Sequence, residues 1–287
     1  MKVKLSLLIG SLLFCTVVLG NVPGDSLNLK YKKFDTAVPL EYEVSGNTLH
    51  STKIGEYPAR ELQTFVKMVF SVSLDTAQTN DLLRLNMSFK KVNITTRMRG
   101  ETNYPNTDIL IGKSITIVAD QKGRIKKIIG FDLLPRIQLV PSDQAGENFG
   151  KTLKEFFVEL PERSVGVGDQ WQLTTIDTTK EAGKTTIVET TGNYKLKKIV
   201  KKKGSRCAQI SGKLEFNVVQ KGSGMGGEFS FNGEGDGKIE ILFDIEKGII
   251  VSKKISISMD GIIKLSGVYN QEGTISETSE ANFKLIR

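Results

Sequence analysis

Apolar and polar residues alternate through most of this chain. From Leu62, the residues Thr64, Val66, Met68, Phe70, Val72 and Leu74 share one parity. Gln63, Lys67, Ser71 and Ser73 share the other, with Phe65 and Val69 as apolar exceptions. Extended backbone points successive side chains to opposite faces, so this pattern predicts a long strand with one buried face. Leu83, Leu85, Met87 and Phe89 continue the pattern, and the phase then shifts to Val92 and Ile94. One extra residue in one strand of a pair, a β-bulge, produces such a shift. The polar run 75–81 supplies the turn, so 62–94 reads as a long hairpin.

Two later segments repeat one motif. Ile115, Ile117 and Ala119 lead into Asp120-Gln121-Lys122-Gly123, then Ile125 and Ile128. Ile239, Ile241 and Phe243 lead into Asp244-Ile245-Glu246-Lys247-Gly248, then Ile249, Val251, Ile255, Ile257 and Met259. Each is a strand, an aspartate, a short Lys-Gly turn and a strand, with glycine suited to positive φ in a tight hairpin. Phe283, Leu285 and Ile286 close the chain as a last strand. The recurrence suggests two related halves, with the hairpin at 62–94 matched by one at 194–219.

One helix is expected between the halves. Phe149, Leu153, Phe156, Phe157 and Leu160 fall at helical spacing. Ser142 or Asp143 can cap its start after Pro141, and Pro161 ends it. The expected organisation is a leader at 1–20, a first β half at 21–140, a helix at 141–161 and a second β half at 162–287. The fold class is mostly β, with long curved antiparallel strands forming an open barrel or two related sheet halves around one amphipathic helix.

The first twenty residues place Lys2 and Lys4 before a mostly apolar stretch from Leu5 to Leu19, ending Val18-Leu19-Gly20. This is the form of a secretory signal peptide cleaved near Gly20. The apolar run is shorter than the ~20 residues a spanning helix needs. Phe14 before Cys15 does not suit a lipidation site. The chain is therefore expected to be exported, to the periplasm or beyond. Its formal charge of +8 would fall to +6 on cleavage, and Cys207 would be the sole remaining cysteine. One cysteine makes no intramolecular disulfide, so a core must hold the fold. Cys207 reads as a small buried apolar residue.

The residue types argue against several chemistries. One histidine, His50, sits in a polar stretch and reads as a solvated loop or edge residue. With one cysteine it cannot complete the usual zinc ligand sets, and no Gly-x-Ser-x-Gly elbow accompanies it. Gly222-Ser223-Gly224-Met225-Gly226-Gly227 matches G-x-G-x-x-G. Strand alternation at Phe229 and Phe231 follows it, where a phosphate loop needs a helix. Its glycines, with Gly233, Gly235 and Gly237, fit a bent strand or a close approach to backbone. Glu234 and Asp236 fall short of a calcium loop. Lys197, Lys198, Lys201, Lys202, Lys203 and Arg206 surround a turn at Gly204, as a solvated turn or a contact for an anionic surface. Export and the absence of a recognition helix argue against nucleic acid.

The stretch Leu160-Pro161-Glu162-Arg163-Ser164-Val165-Gly166-Val167-Gly168-Asp169-Gln170-Trp171 resembles the LP-x-x-x-V-x-V-G-D-x-W segment of exported bacterial β-sheet proteins of unknown function. Phe243-Asp244-Ile245-Glu246-Lys247-Gly248 is similar to their FD-x-x-x-G hairpin. The resemblance implies fold and compartment and transfers no catalytic residue. By architecture alone the chain also resembles periplasmic lipoprotein carriers, half-barrels that bind acyl chains. The expected function is non-enzymatic, needing no cofactor. An apolar or lipid ligand would be held in a β concavity facing Phe149, Leu153, Phe156, Phe157 and Trp171. The rival reading is an envelope interaction module without a small ligand, working through strand edges or the basic hairpin. A hydrolase using two carboxylates ranks behind both.

Overall fold

The computed structural model describes residues 26–34, 38–75, 82–140, 146–181, 183–224, 227–267 and 270–287. The expected leader at 1–20, the turn residues 76–81, the cap candidates Ser142 and Asp143, and Met225 and Gly226 lie outside them.

The strands are β1 (Leu40–Ile54), β2 (Arg60–Leu74), β3 (Leu82–Met98), β4 (Glu101–Asn103), β5 (Ser114–Asp120) and β6 (Ile125–Ile129). After a helical turn α1 (Gly150–Lys154) come β7 (Gln170–Glu181), β8 (Lys184–Lys202), β9 (Ser205–Gly224), β10 (Gly227–Asp244), β11 (Ile249–Gly267) and β12 (Gln271–Leu285). All pair antiparallel in one twelve-stranded sheet of order β6-β5-β3-β2-β1-β12-β11-β10-β9-β8-β7, with β4 beside β3. Both halves step through the sheet in the same direction, and β12 joins them by pairing with β1 from Tyr42–Leu285 to Ile54–Gly273. The mostly-β, open antiparallel reading of the sequence holds. The phase shift also has its cause. Val69 pairs with Lys91 and Phe70 with Phe89, so Lys90 is the bulged residue.

The sheet curls. In a flat sheet β5 and β11 would stand about 24 Å apart, five strand spacings of ~4.8 Å. Yet adjacent residues bind the turns at the ends of both strands. Tyr31 N–H donates to the Gln121 carbonyl at 2.7 Å, and Lys32 N–H to the Gly248 carbonyl at 3.2 Å. The Lys32 ammonium also donates to the carbonyls of Ile245 and Glu246, and that of Lys122 to the Leu29 carbonyl. The repeated Asp-Lys-Gly turns thus meet at one end of the molecule. In each, an aspartate Oδ1 accepts two backbone N–H bonds: Asp120 from Lys122 and Arg124, Asp244 from Glu246 and Lys247.

The α-helix covers Gly150–Lys154, not the expected 141–161. Phe156 and Phe157 N–H close shorter turns onto Leu153 and Lys154. Two glycines at 146 and 150 weaken its start, and a nucleus this short depends on tertiary packing. Packing selects another path here. The chain between β6 and β7 must pass from one edge of the sheet to the other, and it crosses the curled face as a strap. Phe156 lies edge-on to Tyr42 at 4.6 Å and to Phe70 at 5.6 Å, and Tyr31 packs edge-on to Phe243 at 5.3 Å between centroids. Such edge-to-face contacts add to the area burial of the rings. Strap, residues 27–31 and the inner ends of the strands form one core around Leu29, Phe70, Phe89, Leu153, Phe243 and Phe283.

Candidate functional site

Cross-strand partners share a face, so the registers sort every strand residue. The face carrying Tyr42, Phe70, Phe283, Ile241 and Leu196 is closed by the strap. The strands continue past the strap as a flare. There the same face carries Phe216, Val218, Phe231, Ile257, Met259 and Ile263, outside the core cluster. Glycines alternate with these side chains. Gly235 lies directly opposite Phe216, and a β-carbon there would fall 2.5 Å from Phe216 Cζ. A β-carbon at Gly233 would meet Phe231 Cζ at 2.6 Å, and one at Gly212 would meet Tyr194 Cδ1 at 2.8 Å. The rings therefore lie flat over bare backbone, the arrangement that compensates glycine's weakness in a strand. At Gly237 a β-carbon would instead fall 2.8 Å from Ile257 Cγ2, so all three glycines of the run Gly233, Gly235, Gly237 fit the close-approach reading.

Charged groups stand where the strap meets this floor. Lys253, on β11, is only 3 % exposed. Its ammonium donates to the Glu155 carbonyl and sits 4.5 Å from the Phe283 ring centroid. Burial lowers its pKa to about 8, partly offset by the Glu155 carboxylate. Glu155 keeps water contact at the strap's margin, while surrounding protein pushes its carboxyl pKa up against the pull of Lys253 and Lys154. Lys154 pairs with Asp177 of β7. His50 Nδ1 lies 3.3 Å from Glu277 Oε2, and its Nε2 2.9 Å from Thr52 Oγ1. His50 is on β1, between β2 and β12, and not at a loop or edge as expected. Its polar neighbours belong to a strand with both faces partly wet in the flare, where alternation of apolar residues fades.

The five expected cavity residues fall in one seam. Phe149, Leu153 and Phe156 are buried between strap and sheet, and Phe157 and Trp171 pack against that core. Trp171 stacks on Tyr194 at 5.8 Å and 14°. The Leu160–Trp171 motif has a structural account. Asp169 Oδ2 accepts from Gly166 N–H at 3.0 Å, and Gly168, with φ of 98°, hands the chain to β7. Cys207 is buried, as expected, and burial raises its thiol pKa. The basic residues Lys197, Lys198, Lys201, Lys202, Lys203 and Arg206 are separate from the seam. They occupy the β8–β9 hairpin, whose tip turns at Lys203 and Gly204 with φ of 49° and 84°.

The opposite face of the flare carries acidic grooves alongside the exposed side chains of Ile187, Val219 and Ile262. A groove of about 430 Å³ is lined by Asn47, Asp236, Lys238 and Glu280, and one of about 540 Å³ by Glu189, Glu215, Glu234, Asp236 and Asp260. Glu215 pairs across strands with Asp236, and Glu234 with Asp260. Among the described residues no cluster of three or more His, Cys, Asp or Glu has metal-binding geometry.

Neither Lys253 nor the aromatic seat of Tyr31 and Tyr42 stands out in the sequence pattern. A signal for Lys253 existed: it occupies the inward parity of β11, between Val251 and Ile255.

The sequence matches no protein-family model and no curated protein. Among solved structures it is similar to Pseudomonas aeruginosa OccK5 (OpdH), at 7 % identity and TM-score 0.25, over 87 % of this chain and 98 % of that one. It is likewise similar to Pseudomonas aeruginosa OpdQ, at 7 % identity and TM-score 0.24, over 87 % and 99 %. An outer membrane channel from Pseudomonas putida F1 aligns at 9 % identity and TM-score 0.22, over 89 % and 98 %.

Proposed function

We propose that the chain is an exported, non-enzymatic protein of the cell envelope that holds an apolar chain, such as the acyl part of a lipid, along the flared floor of the sheet. The observation that supports this is the floor itself. Ile257, Met259 and Ile263 lie half-buried on one face of the flare, beside the buried rings of Phe216 and Phe231 and beyond the strap that closes the rest of that face. Contiguous apolar surface outside a core marks a binding surface. At its inner end Lys154, Glu155 and Glu277 form a charged margin, so an amphiphile would place its tail on the floor and its head at the strap.

Extraction of the purified protein with organic solvent, followed by mass spectrometry, tests the reading. A reproducible lipid or fatty acid is expected. A fluorescent fatty acid should bind at least about tenfold more weakly to Ile257→Glu, while Ile262→Glu, on the other face, leaves binding unchanged. Equal effects of the two substitutions, or no extractable apolar molecule and no probe binding, would count against it.

A second reading rests on the basic hairpin. Lys201, Lys202, Lys203 and Arg206 are exposed at its tip. Near an anionic surface each basic side chain contributes on the order of 1 kcal/mol. As an interaction module without a small ligand, the protein would co-sediment with anionic vesicles at low salt and release as salt screens them. Retention in a variant with Lys201, Lys202 and Lys203 changed to Gln would exclude this.

A further inference from the structure

We infer that two copies of the chain pair edge to edge through β7, continuing one sheet into the other about a twofold axis at Ile176. The sheet is open, and its two edges differ. One edge is β6, five residues long and carrying Lys126 and Lys127. Short edges with lysines are the usual protection against further pairing. The other edge is β7, twelve residues long, which pairs only with β8 among the described residues. Its middle, Thr174-Thr175-Ile176-Asp177-Thr178, is exposed throughout and rich in β-branched residues that favour extended pairing. Neither proline nor a bulge interrupts it. Ile176 is 69 % exposed, a large apolar side chain in the otherwise polar middle of the strand.

A second copy fits this edge better than an unrelated strand because the edge is complementary to itself. Antiparallel pairing about an axis perpendicular to the sheet sets residues of equal parity opposite one another. Centred on Ile176, the pairing opposes Ile176 to its own copy, Asp177 to Thr175, Thr178 to Thr174, and Lys180 to Gln172. No like charges meet among these, and the exposed isoleucines cover each other. Centred one residue later, two Asp177 side chains would face each other, which is destabilising. Pairing β7 with the β6 edge of another copy would leave a free edge at each end and polymerise. The β7–β7 contact closes on itself.

Light scattering after size exclusion should give twice the mass of one chain at micromolar concentration. Ile176→Lys, which opposes two ammonium groups, should raise the dimer dissociation constant at least about tenfold without changing the far-ultraviolet circular dichroism. Residues opposite one another in an antiparallel pair stand about 4.5–5.5 Å apart at Cα, within the range a disulfide spans. Under oxidation Ile176→Cys should therefore form a reducible dimer. Ile187→Cys, exposed on β8, should not. A monomer at all concentrations, an Ile176→Lys variant that dimerises as the parent does, or equal crosslinking of the two cysteine variants would each overturn the inference.

Discussion

Gly123 and Gly248 sit in turns on distant strands of the sheet, and consecutive residues of one short segment seat both. A β-carbon at Gly123 would fall 2.6 Å from Tyr31 Cε2, and one at Gly248 would fall 2.5 Å from the Lys32 nitrogen. Both glycines have positive φ, 85° and 65°. The close approach of residues 31 and 32 draws the two turns together and sets the curl of the sheet.

Gly123→Ala and Gly248→Ala should each destabilise the fold by about 1–3 kcal/mol, from backbone strain plus displacement of the clamp. Gly112→Ala has a φ of 77° but nothing within 4 Å of the added carbon, so it isolates the strain alone. It should cost about 1 kcal/mol. Denaturant midpoints of the three variants check the ordering, and equal losses would show that the clamp adds nothing.

Tyr31 is tied to the strap twice. Its hydroxyl donates to the Val158 carbonyl at 3.0 Å and accepts from Val158 N–H at 3.1 Å. Burial pushes its pKa up, and it stays protonated and able to donate. Tyr31→Phe leaves both buried backbone groups of Val158 without this partner, at a cost of about 1–3 kcal/mol. Hydrogen exchange should show faster exchange at Val158 than in the parent protein.

Lys253 imposes a pH dependence of known sign. Its folded pKa of about 8 lies below the unfolded value of 10.5, so between these the unfolded chain binds more protons. Stability therefore rises with pH across that window, by about 1.5 kcal/mol from pH 8 to 9.5. Above pH 10 the buried Tyr31 and Tyr42, with raised pKa values, reverse the trend. In Lys253→Met the gain from pH 8 to 9.5 should disappear. A variant that keeps the parent's slope would assign the dependence elsewhere.

The acidic groove opposes like charges across strands, Glu215 to Asp236 and Glu234 to Asp260. Such pairs destabilise by a few tenths of a kcal/mol to about 1 kcal/mol. Glu234→Gln should therefore raise stability by about 0.5 kcal/mol in 10 mM salt, and much less in 1 M salt, where the screening length is about 3 Å. Thermal unfolding at the two salt concentrations measures the difference.

Much of the sheet was legible in the residues. Alternation located the β2–β3 hairpin and the Asp-Lys-Gly turns, and the parity change from Phe89 to Val92 marked the bulge at Lys90. Each is local, set by side chains that alternate along extended backbone. The helix stripe at Phe149 to Leu160 misled because helical spacing also arises in an irregular strap that presents rings to one surface. The basic hairpin was legible as a turn, and the apolar seam as a set of residues sharing one surface.

The sequence by itself determined where strands run, which parity of each faces inward, and where glycine must turn the chain. Those are properties of a few consecutive residues. Tertiary structure alone decided that β12 joins β1, that the strap crosses the curled face, that Lys253 is enclosed, and that β7 is left at an edge. These depend on contacts between residues far apart in the chain, and no local periodicity records which surfaces will meet.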